Sequence, residues 1–303
     1  MIEKSFTARD GKNVYYREWT ADSPKGLVQI VHGMAESSDR YNAFAEHMAK
    51  NGYTVFADDH RGHGKTDGCS GYDKGDMFFN TLTDVAELSD KYKKENPDLP
   101  LIIVGHSYGS FLTQAYLERF GDKIDGAVVG GSALMKGALI TAGGIISNLG
   151  CFFGLSKKPA KLLANMSFGS YNKKFTEGTF ISSIKEECEI YEKHPDCGFT
   201  LSYNFYKHFF KGLNTLYKKN NYLNIPTDKP IMLIAGKDDP VGDMGKSVQS
   251  LYGFYAEIVG VESVDLVLYE GVRHEYFNDT SRYNAFNKVL EFCDGIIGGK
   301  IEE

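Results

Sequence analysis

The chain has 303 residues and a formal net charge of −6, with 42% hydrophobic and 24% charged residues, ordinary globular usage that excludes disorder, collagen and coiled coil. Mean hydropathy is −0.32, no apolar run reaches the roughly 20 residues a membrane span needs, and Met1-Ile2-Glu3-Lys4-Ser5 offers no apolar core for a signal peptide. The acidic balance argues against nucleic acid as a partner, and five cysteines without paired or metal-type spacing point to reduced thiols in a cytoplasmic protein.

Gly26 to His32 is a short, β-branched apolar run closed by Gly33, which fits a buried strand. Residues 38–51 then place Tyr41, Phe44, Ala45 and Met48 at helical spacing, with Gly52 as the stop. Tyr53 to Ala57 reads as the next strand, 81–96 as a helix with Pro97 beyond it, and Leu101 to Val104 as a continuous β run. A helix through 111–117 and a strand at 127–129 follow. After a long interval come strands at 230–235 and 264–269, with helices near 244–259 and 281–293. Strands separated by helices predict an α/β fold with a mostly parallel sheet covered on both faces. Chemistry in such sheets sits at the carboxyl ends of the strands.

The interval itself differs in charge. Residues 136–225 carry twelve lysines against six carboxylates, a net of +6, which leaves −12 for the rest of the chain. That change of sign, with dense aromatic and small apolar residues, fits 136–225 as an inserted subdomain, the alternative being lysines that solubilise an otherwise apolar segment.

Gly105-His106-Ser107-Tyr108-Gly109 is G-x-S-x-G placed between a buried strand and a helix, the context in which this motif makes a nucleophile. Glycines two residues either side relieve crowding around a strained serine. The Tyr108 N–H, at the start of the following helix, is positioned to meet a developing oxyanion. A serine nucleophile needs a base, and the base needs an orienting acid. The strand ending at Ala235 runs into Gly236-Lys237-Asp238-Asp239, and the strand ending at Tyr269 runs into Glu270-Gly271-Val272-Arg273-His274. His274 is the only histidine after His208, and so the candidate base. Asp239 is the preferred acid; Asp238 suits a turn or cap, and Asp243 is the third choice.

His32-Gly33-Met34-Ala35-Glu36 closes the first buried strand, and glycine there lets the Met34 N–H serve as a second oxyanion donor. His32 reads as a structural residue beneath this loop. His60 and His63 lack neighbours with zinc-motif spacing and read as loop-stabilising. Cys69 has no histidine partner that would make it a nucleophile.

In this combination the chain resembles the α/β-hydrolase superfamily, and within it the serine hydrolases related to monoacylglycerol lipases, bacterial lysophospholipases and serine aminopeptidases. The stretches that carry the likeness are VHGMAESSDRY (31–41), DHRGHGKTDG (59–68), GHSYGS (105–110), GKDDPVGD (236–243) and EGVRHE (270–275). The resemblance implies an α/β-hydrolase core from 1–135 and 226–303, with 136–225 as a helical cap. It implies a triad of Ser107, Asp239 and His274, with the Met34 and Tyr108 amides as oxyanion hole and no cofactor or metal. Asp239 matches because the family acid stands three residues after the strand-ending glycine, here Gly236. Serine at 107 separates the chain from the aspartate-using dehalogenase and epoxide hydrolase branches. The implied reaction is hydrolysis of carboxylic esters of monoacylglycerol or lysophospholipid type through an acyl-enzyme. Acyl transfer and aminopeptidase activity on the same triad are the alternatives, and a non-catalytic binding protein is disfavoured by the complete set. The expected partner is a small amphiphilic acyl ester, with the lysine-rich cap touching an anionic membrane surface.

Overall fold

The computed structural model describes residues 1–301, and eight strands among them form one sheet in the order β1-β2-β4-β3-β5-β6-β7-β8. These are β1 (Ile2–Thr7), β2 (Asn13–Trp19), β3 (Gly26–Val31), β4 (Tyr53–Asp58), β5 (Leu101–His106), β6 (Gly126–Gly130), β7 (Ile231–Gly236) and β8 (Val264–Tyr269). Strand β2 runs antiparallel to both β1 and β4. From β4 through β8 every pairing is parallel. Every residue of β3 to β7 is buried, which is why those strands read as continuous apolar runs.

Alternation along the strands divides the core into two layers. Leu27, Leu101, Ile103, Val129 and Leu233 face one side, where α3 (Met77–Glu95) and α4 (Tyr108–Phe120) pack. Val28, Ile30, Ile102, Val104, Val128 and Ile234 face the other, against α1 (Asn42–Lys50) and α12 (Arg282–Ile301). The polar side chain of Gln29 on β3 is buried in the α3 layer: it donates to the Val85 carbonyl and accepts from the Ser89 hydroxyl, both on α3, so its amide is not left unpaired.

Some elements differ from the sequence reading. Strands β1 and β2 carry no apolar pattern that predicts them. All but one residue of β1 is exposed, leaving no apolar face to signal a strand. In β2 the buried positions include Arg17 and Glu18, which pair with Asp59 and Lys4. The helix expected from 81 begins at Met77, because the Asp76 carboxylate accepts the Phe79 N–H at 3.2 Å and caps it there. The 38–51 helix opens with a 3₁₀ turn at Ser38–Tyr41. The 244–259 segment is α11 (Lys246–Gly253) followed by a π turn.

Between β6 and β7 the regular elements are helices: α5 (Ala138–Phe152), α6 (Lys161–Ala164), α7 (Ser170–Asn172), α8 (Lys185–Lys193), α9 (Tyr203–Leu213) and α10 (Lys219–Tyr222). Helix α9 stops at Leu213, and Tyr217 stands beyond it at φ 66°. The segment shares the core below, since Leu163, Leu201, Phe205, Tyr206, Phe209 and Leu213 join the same apolar cluster as α3 and α4. A smaller cluster, Phe180, Ile181 and Cys188, lies apart from it.

The crossing of α4 under β3 is the tightest point that bears on the site. A Cβ at Gly109 would lie 1.9 Å from the Val31 carbonyl oxygen and 2.6 Å from that of His32. Backbone on both sides cannot yield, so Gly109→Ala should lower the unfolding free energy by about 3 kcal/mol. Urea denaturation checks this against Gly253→Ala, whose Cβ would have no foreign neighbour nearer than 4.0 Å and which should not destabilise.

Candidate active site

Ser107 occupies the single residue between β5 and α4, at φ 52°, ψ −118°. A non-glycine side chain held there costs on the order of 1–3 kcal/mol, borne by the surrounding packing. Its N–H donates to the Gly130 carbonyl at the end of β6, 3.0 Å away, and its carbonyl accepts from the Ser110 N–H at 2.9 Å. Gly105 completes the turn, because a Cβ there would meet Thr113 Oγ1 at 2.1 Å. The backbone is therefore pinned on both sides while the side chain stays partly exposed. Tyr108 is the first residue of α4, so its N–H has no intrahelical acceptor.

The loop after β3 is held from beneath by three buried histidines. His32 Nε2 accepts the His60 N–H at 2.9 Å, so its proton lies on Nδ1 and donates to the Gly33 carbonyl at 2.7 Å. His63 Nε2 accepts the Ala35 N–H at 3.1 Å, and its Nδ1 donates to the Arg61 carbonyl at 3.0 Å. Both rings are thus neutral. Burial drives their pKa values down, that of His63 to about 3. His60 stacks on His32 with ring centroids 3.7 Å apart, yet faces only acceptors: Asp58 Oδ2 at 2.7 Å and the His32 carbonyl at 3.1 Å. Burial opposes its charge, but the Asp58 carboxylate outweighs that and raises its pKa. The structural roles read for His32, His60 and His63 match this geometry.

The consequence is a selectively open donor. Gly33 N–H is taken by the Glu36 carboxylate and Ala35 N–H by His63, whereas the Met34 N–H between them has no acceptor among the described residues. A Cβ at Gly33 would lie 3.2 Å from Ser107 Cβ, so this loop runs directly past the serine.

His274 Nδ1 donates to Asp239 Oδ2 at 2.9 Å, and the other Asp239 oxygen accepts the Val241 N–H at 2.9 Å. Asp239 is fully buried and His274 is 4% exposed. Burial lowers the pKa of His274, but the Asp239 carboxylate offsets this and the net shift is upward. Of the three aspartates considered from sequence, Asp239 is the one bonded to this imidazole; Asp238 and Asp243 are exposed. With Nδ1 committed, Nε2 is the nitrogen left for proton transfer. It makes no hydrogen bond among the described residues, and neither does the Ser107 hydroxyl. Both residues adjoin the end of β6: a Cβ at Gly131 would touch His274 Cε1 at 3.3 Å, and Gly130 accepts the Ser107 N–H.

Three charged residues around this site were not singled out from sequence. Glu36, Arg40 and Glu275 are side chains buried between the Gly33 loop and the His274 loop. The adjacency of Glu275 to His274 was their one available signal. Asp39, His194 and Asp196 bring potential metal-ligating atoms within 4.8 Å of one another. They already satisfy each other or near neighbours, His194 on Asp39 at 3.2 Å and the Cys69 thiol on Asp196 at 3.3 Å.

Residues 22–281 match the family model for serine aminopeptidase S33, Hydrolase_4. The chain belongs to this family. It has the α/β-hydrolase fold. It is similar to a monoacylglycerol lipase of Mycolicibacterium smegmatis, 34% identical over 44% of this chain and 47% of that one, so the match spans about half of that relative. Human monoglyceride lipase is 27% identical over 88% of this chain and 80% of its own. Among solved structures, a thermostable carboxyl esterase from Bacillus coagulans, complexed with glycerol, superposes with a TM-score of 0.88 at 27% identity, covering 98% of each chain. No helix of the described residues is long and apolar enough to cross a membrane.

The histidine floor has a pH signature. His63 has a folded pKa near 3 against an unfolded value of about 6.5, so its contribution to stability is complete above pH 6.5. It is lost as pH falls from there toward 3, at up to about 1.4 kcal/mol per pH unit. His63→Gln, which retains an acceptor for Ala35, should show a shallower loss of stability between pH 6.5 and 4 in denaturant titrations.

Proposed function

We propose that this protein is a carboxylic ester hydrolase acting through an acyl-enzyme, with Ser107 as nucleophile, His274 as general base and acid, and Asp239 as the residue that orients and stabilises the imidazole. The observation that carries the proposal is the His274–Asp239 hydrogen bond beside a strained serine flanked by two amides without acceptors. In the first step Ser107 Oγ attacks the ester carbonyl as Nε2 takes its proton, and the Met34 and Tyr108 N–H groups receive the oxyanion. Each such donor is worth about 3 kcal/mol of transition-state stabilisation. His274 then protonates the departing alcohol. Water, deprotonated by the same nitrogen, attacks the acyl-enzyme, and the acid leaves with Ser107 reprotonated.

Because His274 must be neutral to act as base and its pKa lies above 6.5, kcat/KM should fall on the acid side through an apparent pKa above that value. Ser107→Ala should abolish hydrolysis of p-nitrophenyl esters and labelling by a fluorophosphonate, with the unfolding midpoint preserved. Asp239→Asn should lower kcat about 10⁴-fold. Near wild-type turnover in Ser107→Ala would contradict the assignment.

The substrate reading is an amphiphilic acyl ester of monoacylglycerol or lysophospholipid type, with 136–225 acting as a cap over the site. Support comes from the named relatives and from the outward face of the segment. Helix α5 contains no charged residue, and Leu139 and Phe152 on it are 82% and 83% exposed, with Phe153, Leu155, Leu162 and Met166 also exposed after it. An apolar surface of this kind marks an interaction site. Lys136, Lys157, Lys158 and Lys161 border it and are exposed, which favours an anionic lipid surface, each well-placed lysine adding up to about 1 kcal/mol. Phe152→Ser with Phe153→Ser should reduce cosedimentation with anionic vesicles and activity on micellar monoacylglycerol, while leaving hydrolysis of a short soluble ester intact. Equal binding to neutral and anionic vesicles would remove the electrostatic part of the claim.

A further inference from the structure

We infer that Glu36, Arg40 and Glu275 form a buried positioning unit that holds the Met34 oxyanion amide in register with the His274 imidazole. The inference rests on the acyl-transfer reading of the site and adds residues to it that touch neither substrate nor the reacting atoms.

Glu36 is bonded to the Gly33 loop and Arg40 to Glu275, and the two halves act on each other through space. One oxygen of Glu36 accepts both the Gly33 N–H and the Tyr41 hydroxyl, the latter at 2.7 Å. A Cβ at Gly33 would lie 2.4 Å from that oxygen and 3.2 Å from Ser107 Cβ, so carboxylate, loop backbone and serine stand in contact. Arg40 pairs through Nη2 with Glu275, the two side chains 6% and 5% exposed. Glu275 also accepts from Asn278 at 2.9 Å, and its N–H donates to the Ile181 carbonyl at 2.8 Å. The neighbouring His274 N–H donates to the Phe180 carbonyl at 3.1 Å. The oxyanion loop, the base loop and the 180–181 segment therefore meet at one set of charges. Tyr191 closes the set from above, its ring 5.7 Å from the Arg40 guanidinium carbon and its hydroxyl donating to the Ala35 carbonyl at 3.0 Å.

Stability alone is a poor reason for this arrangement. Arg40 pairs with Glu275 alone, Glu36 has no ion-pair partner among the described residues, and Arg40 Nε is buried without a partner; a buried set with an unpaired carboxyl and an orphan donor costs folding energy that apolar packing would not. Its location gives it work. Both Glu275 and Glu36 raise the pKa of His274 beyond what Asp239 does. Burial and Glu275 in turn push the Glu36 carboxyl up to about 7. The other titratable groups facing the unit are Tyr41 on its own segment, Tyr191 and Cys197 from the 136–225 segment, Tyr276 beyond the base, and neutral His106 beneath it. None of these carries a charge at neutral pH that would offset the unpaired carboxyl.

The test is steady-state kinetics on a soluble aryl ester across pH for wild type, Glu36→Gln, Glu275→Gln and the double variant, with unfolding midpoints measured in parallel. Each single change is expected to lower kcat about tenfold with KM within twofold, and to move the acid limb of kcat/KM to lower pH. The double variant should lose less than the product of the two. A purely structural role would lower the midpoint and leave limb and kcat in place, which overturns the inference, as does full additivity. Tyr41→Phe, which removes one hydrogen bond to Glu36 and no charge, serves where a Gln variant does not fold; it should lower kcat without moving the limb, and an unchanged kcat counts against the unit. Wild type that fails to turn over esters would refute the functional reading itself, whereas active wild type with unaffected variants refutes this inference alone.

Discussion

The backbone at residue 107 is in a conformation that a serine adopts only under compulsion, and the neighbouring structure supplies the compulsion. Gly105 lies against Thr113, Gly109 lies against the carbonyls of Val31 and His32, and the Ser107 N–H reaches across to Gly130. Those contacts lock the ends of β3, β5 and β6 to the start of α4. Everything placed at the carboxyl edge of the sheet takes its position from that junction: the Met34 loop follows β3, the serine follows β5, and Gly131 beside His274 follows β6. The sheet order, with β5 between β3 and β6, makes this convergence a matter of adjacent strands rather than of long loops.

Polar groups under the junction are handled by assigning each a single protonation state. His32 and His63 are neutral because each must accept a backbone N–H, and the cationic form of His60 is favoured because both its ring nitrogens face acceptors, the Asp58 carboxylate and the His32 carbonyl. The result is a loop whose amides at 33 and 35 are committed and whose amide at 34 is free. A rigid loop with one unpaired donor is the arrangement that electrostatic stabilisation of an oxyanion requires, since no reorganisation is needed when charge appears.

How much of this was legible beforehand follows from the burial of each part. Strands buried on both faces, such as Leu101–His106 and Ile231–Gly236, announce themselves as apolar runs, and G-x-S-x-G between strand and helix located the serine. The edge strand Ile2–Thr7 has no buried face and left no periodic trace. Arg17 and Glu18 disguised the strand beside it, because their burial depends on Asp59 and Lys4, partners distant in sequence. Asp238 and Asp239 are chemically alike, and only the direction of the turn after β7 decides which one is buried against His274. The Glu36–Arg40–Glu275 set was illegible for the same reason: charged residues in a loop look solvated until the fold covers them. Phe205 and Phe209 of the 136–225 segment pack their rings 5.0 and 5.7 Å from that of Tyr108, so the segment is part of the packing around the serine turn.

The central claim is that Ser107, the two free amides and the His274–Asp239 pair form one acyl-transfer centre. A crystal structure of the protein inactivated by an alkyl phosphonate tests it directly. The account predicts phosphorus bonded to Ser107 Oγ, the phosphoryl oxygen within about 3 Å of both the Met34 and Tyr108 nitrogens, and His274 Nε2 facing the serine oxygen. An adduct on another residue, or a phosphoryl oxygen turned away from both amides, would contradict it.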